Sequence, residues 1–227
     1  MPLDTPTIIY GEQTDYKKLY YSEPLAALKV PITLQAGYGV LKIGTVLAQN
    51  KSASGNVGKY VPYNPTTFTG AEDHPGRAYL VTDSGTTDKY VYVTMEDSYK
   101  FAVGDDLIIN DDTTDAENLG AITAIDRTSE VHRAKITFTT AIGGTAFTTA
   151  RKAYVCVEAG DSSNNYSDAV GILEKSVDTG TGEDAKGALA TMIIGNAVLY
   201  TGMLKNIDAA ARTDLSAAVI GQFTYMR

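Results

Sequence analysis

The chain has no tryptophan, a single cysteine and two histidines among its 227 residues. One cysteine, Cys156, excludes an intrachain disulfide. It sits in the apolar run AYVCV at 153–157, the setting of a buried inert thiol rather than a nucleophile. His74 and His132 have no cysteine or acidic partner at a ligand spacing, which removes the usual zinc patterns. Basic residues are also scarce: Lys and Arg number 19 against 27 Asp and Glu, a formal net charge of -8. Without clustered Lys and Arg there is no electrostatic footprint for nucleic acid, so no nucleic-acid partner is expected. No apolar run reaches the roughly 20 residues of a membrane-spanning helix, and no membrane partner is expected. The first residues, MPLDTP, carry neither a basic start nor an apolar stretch, so the expectation is no signal peptide and synthesis in a cytoplasm.

What is present is β texture. Hydrophobic residues make up 44% and charged residues 20%, enough apolar side chain for a packed core. Tyrosine is abundant, at 15, and its apolar ring with a polar tip suits half-buried strand faces and subunit contacts. The densest apolar stretch is 169–204. It holds AVGIL at 169–173 and ALATMII at 188–194, which continues past Gly195 and Asn196 into AVLY at 197–200. Between them, 178–187 is rich in Gly, Thr and acid and reads as a solvated turn.

Taken in order, residues 1–37 hold four of the seven prolines and little periodicity, which reads as an extended N-terminal arm. Strands are expected over 40–48 with a break at Gly44, at 59–65 as a short run that Pro62 and Pro65 stop and place at the periphery, and as a hairpin joining 79–82 to 90–95. In YVYVTM at 90–95, Tyr90, Tyr92 and Thr94 alternate against Val91, Val93 and Met95. Residues 96–153 hold three short strands at regular spacing and read as an inserted small β-barrel or sandwich. Residues 38–95 and 154–227 then form one β core around it. One helix is expected within 206–220, with Asp208 as N-cap, Ile207, Ala211 and Leu215 on one face and Gly221 as stop, followed by a short strand at 223–226. The fold class is therefore mainly β with one short C-terminal helix.

Two segments were weighed for chemistry. The acidic run DDTTDAE at 111–117 fails the calcium-loop pattern, because Ala116 stands at position six and Ile122 at position twelve. GTGEDAKG at 180–187 lacks the spacing of a phosphate loop and precedes a strand rather than a helix. No cofactor, no metal and no catalytic residue is expected, and a hydrolytic enzyme is a distant third reading.

Four segments carry a resemblance in their order: GTVL at 44–47, KYVPYNP at 59–65, AVGIL at 169–173 and AVL at 197–199, closed by the Asp- and Ala-rich helix. Over about 36–68 and 166–220 the chain resembles the lambda-like head decoration proteins of tailed phages. It differs in a longer arm and in the extra segment 96–153. The resemblance implies a capsid decoration (cement) protein with no enzyme activity, made in the host cytoplasm and carried on the outer surface of the virion. It implies a homotrimer at three-fold and quasi-three-fold sites, with the major capsid protein as partner. It also implies an arm that orders on the shell, with Tyr10, Tyr16, Tyr20, Tyr21 and Leu25 as capsid-binding residues. The alternative reading is a carbohydrate- or cell-surface-binding β module of fibre or adhesin type. Its tyrosines would form a sugar platform, with a host-surface glycan bound through the insertion.

Overall fold

Short alternating runs bounded by Gly, Asn and Asp turns give many short strands, and the chain is mainly β. The computed structural model describes residues 19–21, 26–51, 56–64, 75–111, 116–157, 166–217 and 223–226. The first strands are β1 (Leu28–Leu34), β2 (Val40–Leu41), β3 (Val46–Gln49), β4 (Tyr60–Pro62), β5 (Ala78–Tyr79) and β6 (Tyr90–Thr94). A one-turn helix, α1 (Met95–Ser98), leads to β7 (Asp106–Asn110), β8 (Glu117–Asp126), β9 (Arg133–Phe138) and β10 (Tyr154–Val157). Then come β11 (Ala169–Leu173), β12 (Val177–Asp178), β13 (Ala188–Gly195), β14 (Ala197–Tyr200), helix α2 (Ala209–Ala217) and β15 (Phe223–Met226).

The first body is a closed barrel in the order β1-β13-β11-β3-β4. β1 runs antiparallel to β13 along its whole length, and the ring closes where Leu34 meets Tyr60 of β4 in parallel. Ile32, Leu34, Val46, Val61, Ile172 and Met192 are all buried. The expected arm of 1–37 is therefore corrected from Leu28 onward: LKVPITL alternates, and its buried Ile32 and Leu34 make it a barrel strand rather than a tail. The apolar run through 195–196 is likewise two strands rather than one. Asn196 takes a left-handed φ of 52°, which Asn tolerates, and its Nδ2 donates to the Ala26 carbonyl at 2.7 Å. Beyond that turn, β14 leaves the barrel and pairs in parallel with β15.

Helix α2 forms as the sequence predicts. The Ala211 amide donates to Asp208 Oδ1 at 2.7 Å, an N-cap, and Ala211 and Leu215 are fully buried. Asp214 accepts the Ala169 amide at 3.0 Å and fastens the helix to β11.

The second body is a six-stranded sheet, β5-β10-β7-β8-β9-β6, whose two edge strands meet in one antiparallel bridge at Leu80 and Val93. Val91, Val93, Leu107, Ile109, Ile136, Phe138 and Val155 line its buried side. The expected boundaries at 96 and 153 are too narrow. β5, β6 and β10 belong to this sheet, because β10 pairs with both β7 and β5. The expected 79–95 hairpin is reduced to the bridge and one hydrogen bond, Val81 N to Tyr92 O at 3.0 Å.

The two bodies share one continuous apolar cluster. Gly37, at φ +97°, lets the barrel approach closely, since a Cβ there would stand 2.5 Å from the Tyr99 carbonyl oxygen. The Tyr38 hydroxyl donates to the Lys100 carbonyl at 3.3 Å, and Asn64 Nδ2 donates to the Val157 carbonyl at 3.0 Å. The Asn64 amide donates to the Tyr166 carbonyl at 2.8 Å, which sets the two ends of the second body side by side. The 178–187 loop, expected to be solvated, is partly buried in the same region. Thr179 is fully buried, with its hydroxyl donating to the Gly39 carbonyl at 2.9 Å and accepting the Tyr38 amide at 3.0 Å.

Candidate functional site

Of the five residues expected to touch a capsid, Tyr10, Tyr16 and Leu25 lie outside the described residues. Tyr20 and Tyr21 lie side by side along β14. Tyr20 bridges to Leu199, and the Tyr21 amide donates to the Val198 carbonyl at 2.9 Å. Tyr20 is buried, and its hydroxyl donates to Glu174 at 3.2 Å. Glu174 is also ion-paired with Lys29, whose ammonium stands 5.5 Å from the Tyr20 ring centre. Tyr20 is thus an internal anchor. Tyr21 is 57% exposed and rests edge-on against Tyr200 at 5.4 Å, so it is the one of the pair that faces outward. Leu19 before them is fully buried, so Leu19–Tyr21 is a docked segment.

A second surface lies on the outward face of β6 and β9. The register sets Tyr92 opposite Lys135 and Thr94 opposite Arg133. Diagonal neighbours then meet: the Arg133 guanidinium lies 4.1 Å from the Tyr92 ring centre and the Lys135 ammonium 4.1 Å from that of Tyr90. Tyr90 and Tyr92 pack edge to face at 5.7 Å. The β8–β9 turn adds acid. Arg133 donates through Nε and Nη2 to Glu130, the Nη2 bond at 3.1 Å. Asp126 accepts the Thr128 and Ser129 amides and both hydroxyls. These bonds, the Ser129 hydroxyl foremost, hold the Asp126 carboxyl well below the usual range, and Arg133 does the same for Glu130. Tyr92, Asp126, Ser129, Glu130, Arg133 and Lys135 enclose a pocket of about 200 Å³.

A third region is the cleft between the two bodies, about 340 Å³, lined by Tyr38, Val40, Pro75, Arg77, Tyr79, Asp97 and Lys100. Arg77 is buried, with its guanidinium 4.0 Å from the Tyr154 ring centre. Lys100 donates to the Arg77 carbonyl and pairs with Asp97, both at 2.7 Å. Close by, Asp105 is fully buried. Its Oδ2 accepts the Ala102 amide at 2.8 Å, and its Oδ1 has no hydrogen-bond partner among the described residues. Burial pushes this carboxyl up to about 6.

The segments weighed for chemistry are otherwise structural where described. Asp111 is buried and pairs with Arg151 at 3.6 Å, and Glu117 accepts the Gly143 and Gly144 amides at 2.8 and 2.9 Å; residues 112–115 lie outside the described set. Cys156 is buried as expected, with its thiol pushed up to about 12. Among the described residues no group of three or more His, Cys, Asp or Glu side chains is placed to hold a metal ion, and no helix is long and apolar enough to cross a membrane. The alternation at 90–94 pointed to the Tyr90–Tyr92 face. The cations opposite it alternate in RAKITF, but the register that sets them over the rings is non-local and was not readable. Compared with known proteins, the chain matches no family, no curated protein and no solved structure.

Proposed function

We propose that the chain is a capsid decoration protein that binds the outside of an expanded phage head as a homotrimer and stabilises it. One observation carries the proposal: segments far apart in sequence that bear the resemblance stand side by side. GTVL runs into β3, KYVPY holds β4 and AVGIL is β11, consecutive neighbours in the barrel order β11-β3-β4, while AVL lies in β14 just beyond. The second body grows out between β4 and β11, so it extends the barrel without interrupting it. In this reading residues 1–18, which precede the docked Leu19–Tyr21 segment, engage the major capsid protein. A cement protein binds one repeated surface many times. A trimer engaging several capsid subunits multiplies weak contacts, and a net charge of -8 opposes self-association. Binding only the expanded shell stabilises that shell by linkage.

The test is co-sedimentation of the purified protein with expanded heads that lack it and with unexpanded procapsids. Saturable binding to expanded heads alone is expected, and binding to neither overturns the proposal. A second reading, a carbohydrate-binding β module, is favoured by the Tyr90–Tyr92 face of the second body. The two readings are compatible when that face points away from the shell.

A further inference from the structure

We infer that the pocket bounded by Tyr92, Asp126, Ser129, Glu130, Arg133 and Lys135 is a binding site for a neutral saccharide ring. The inference rests on the second reading above and gives it a location and a ligand class.

Charge is the first argument. The lining holds two carboxylates, Asp126 and Glu130, and two cations, Arg133 and Lys135, so the site is balanced. A charged ligand would meet an opposing like charge within the same small space. An uncharged polyhydroxyl ligand meets acceptors and donors of both kinds. The carboxylates are held below their ordinary range by the hydrogen bonds they already accept, so both stay charged in the neutral range and oppose an anionic ligand. The Lys135 ammonium stands over the Tyr90 ring and makes no side-chain hydrogen bond or ion pair to another described residue, so it can donate to a sugar oxygen.

Rigidity is the second. Tyr92 is held by Arg133 over its ring and by Tyr90 at its side. Glu130 is held by Arg133, and Asp126 by the turn that it caps. Side chains already fixed lose little entropy on binding. Size is the third. At about 200 Å³ the pocket is smaller than the roughly 300 Å³ at which drug-sized sites begin, a volume that suits one sugar ring rather than a folded partner. Tyr92 contributes to the lining of that volume.

The experiment is a glycan array of neutral and acidic glycans probed with the full chain, followed by titration of any hit against Tyr92→Ala, Lys135→Gln and the distant control Lys152→Ala. Thermal melts establish that each variant is folded, and Tyr92→Phe, which keeps the ring, serves where Tyr92→Ala is not. Neutral glycans are expected to bind, with about tenfold or greater weakening in Lys135→Gln and Tyr92→Ala, near 1.4 kcal/mol, and no change in the control. Glycan binding that survives both variants overturns this site but leaves the carbohydrate reading standing. Binding confined to acidic glycans overturns the ligand class. No glycan binding at all overturns both the site and the reading.

Discussion

Asp105 holds a carboxyl group in the interior with one oxygen bonded to the Ala102 amide and the other without a hydrogen-bond partner among the described residues. Its folded value, about 6, lies above the ordinary value of 3.8 in an open chain. The proton is therefore bound more tightly in the folded state. Stability from this group is greatest below the unfolded value, declines as pH rises from about 4 to 6, and stays low above that. The two-unit difference corresponds to about 3 kcal/mol at neutral pH. Asp105→Asn keeps an oxygen for Ala102 and removes the buried charge. Urea unfolding should then show the variant to be more stable at pH 8 by up to that amount, with the gap closing at pH 4. Equal stability at pH 8, or a gap that widens at pH 4, would contradict the assignment. Nothing in the sequence marked this residue. Asp105 follows Gly104 in a Gly-Asp pair that reads as a surface turn, and its burial arises because the turn packs where the two bodies meet.

At the scale of elements, what was readable was local and what was missed was not. Helix α2 was visible because its cap, Asp208, and its buried face, Ala211 and Leu215, are close in sequence; the expected stop at Gly221 lies outside the described residues. Asp208 also accepts the Tyr63 hydroxyl at 2.9 Å, so it ties the helix start to the end of β4. Asp208→Ala should cost about 1–2 kcal/mol in chemical denaturation, more than Tyr63→Phe, which removes only the second bond. An equal loss in the two variants would mean that the cap contributes nothing. Strands were visible by alternation. Their partners were not, because register depends on the whole sheet: β10 is buried on both faces and carries no alternation, so its own residues do not reveal that it pairs with β5 and β7. The 178–187 loop was misread for a related reason. Composition signals solvent when a loop's polar groups are satisfied by water, whereas Thr179 is satisfied by the turn at 38–39. The pocket on β6 and β9 was half readable, its tyrosines from their spacing and its cations only from the pairing.

For the whole molecule, the docked segment separates two deletions that a reading of residues 1–37 as an arm treats alike. Removing residues 1–18 keeps Leu19 and Tyr20, which are buried, and should leave the melting curve unchanged; under the proposed cement role it should abolish attachment to expanded heads. Removing residues 1–35 takes away β1, opens the barrel and exposes the buried faces of Met192 and Ile172, so this variant should fail to fold, as circular dichroism would show. If the shorter deletion attaches normally, the arm is not the clamp. If the longer one folds normally, the barrel closure is not required.

The hydrogen bond between Asn64 and Tyr166 has a consequence for how such a chain diversifies. The chain leaves the barrel at Asn64 and rejoins it at Tyr166, so the intervening hundred residues depart and return at one place. Exchange of that stretch demands a replacement whose own ends lie equally close together and whose surface covers the barrel's apolar side around Gly37 and Tyr38. The barrel's own strand pairing, from β1 to β4, can stay constant while the body inserted after β4 changes.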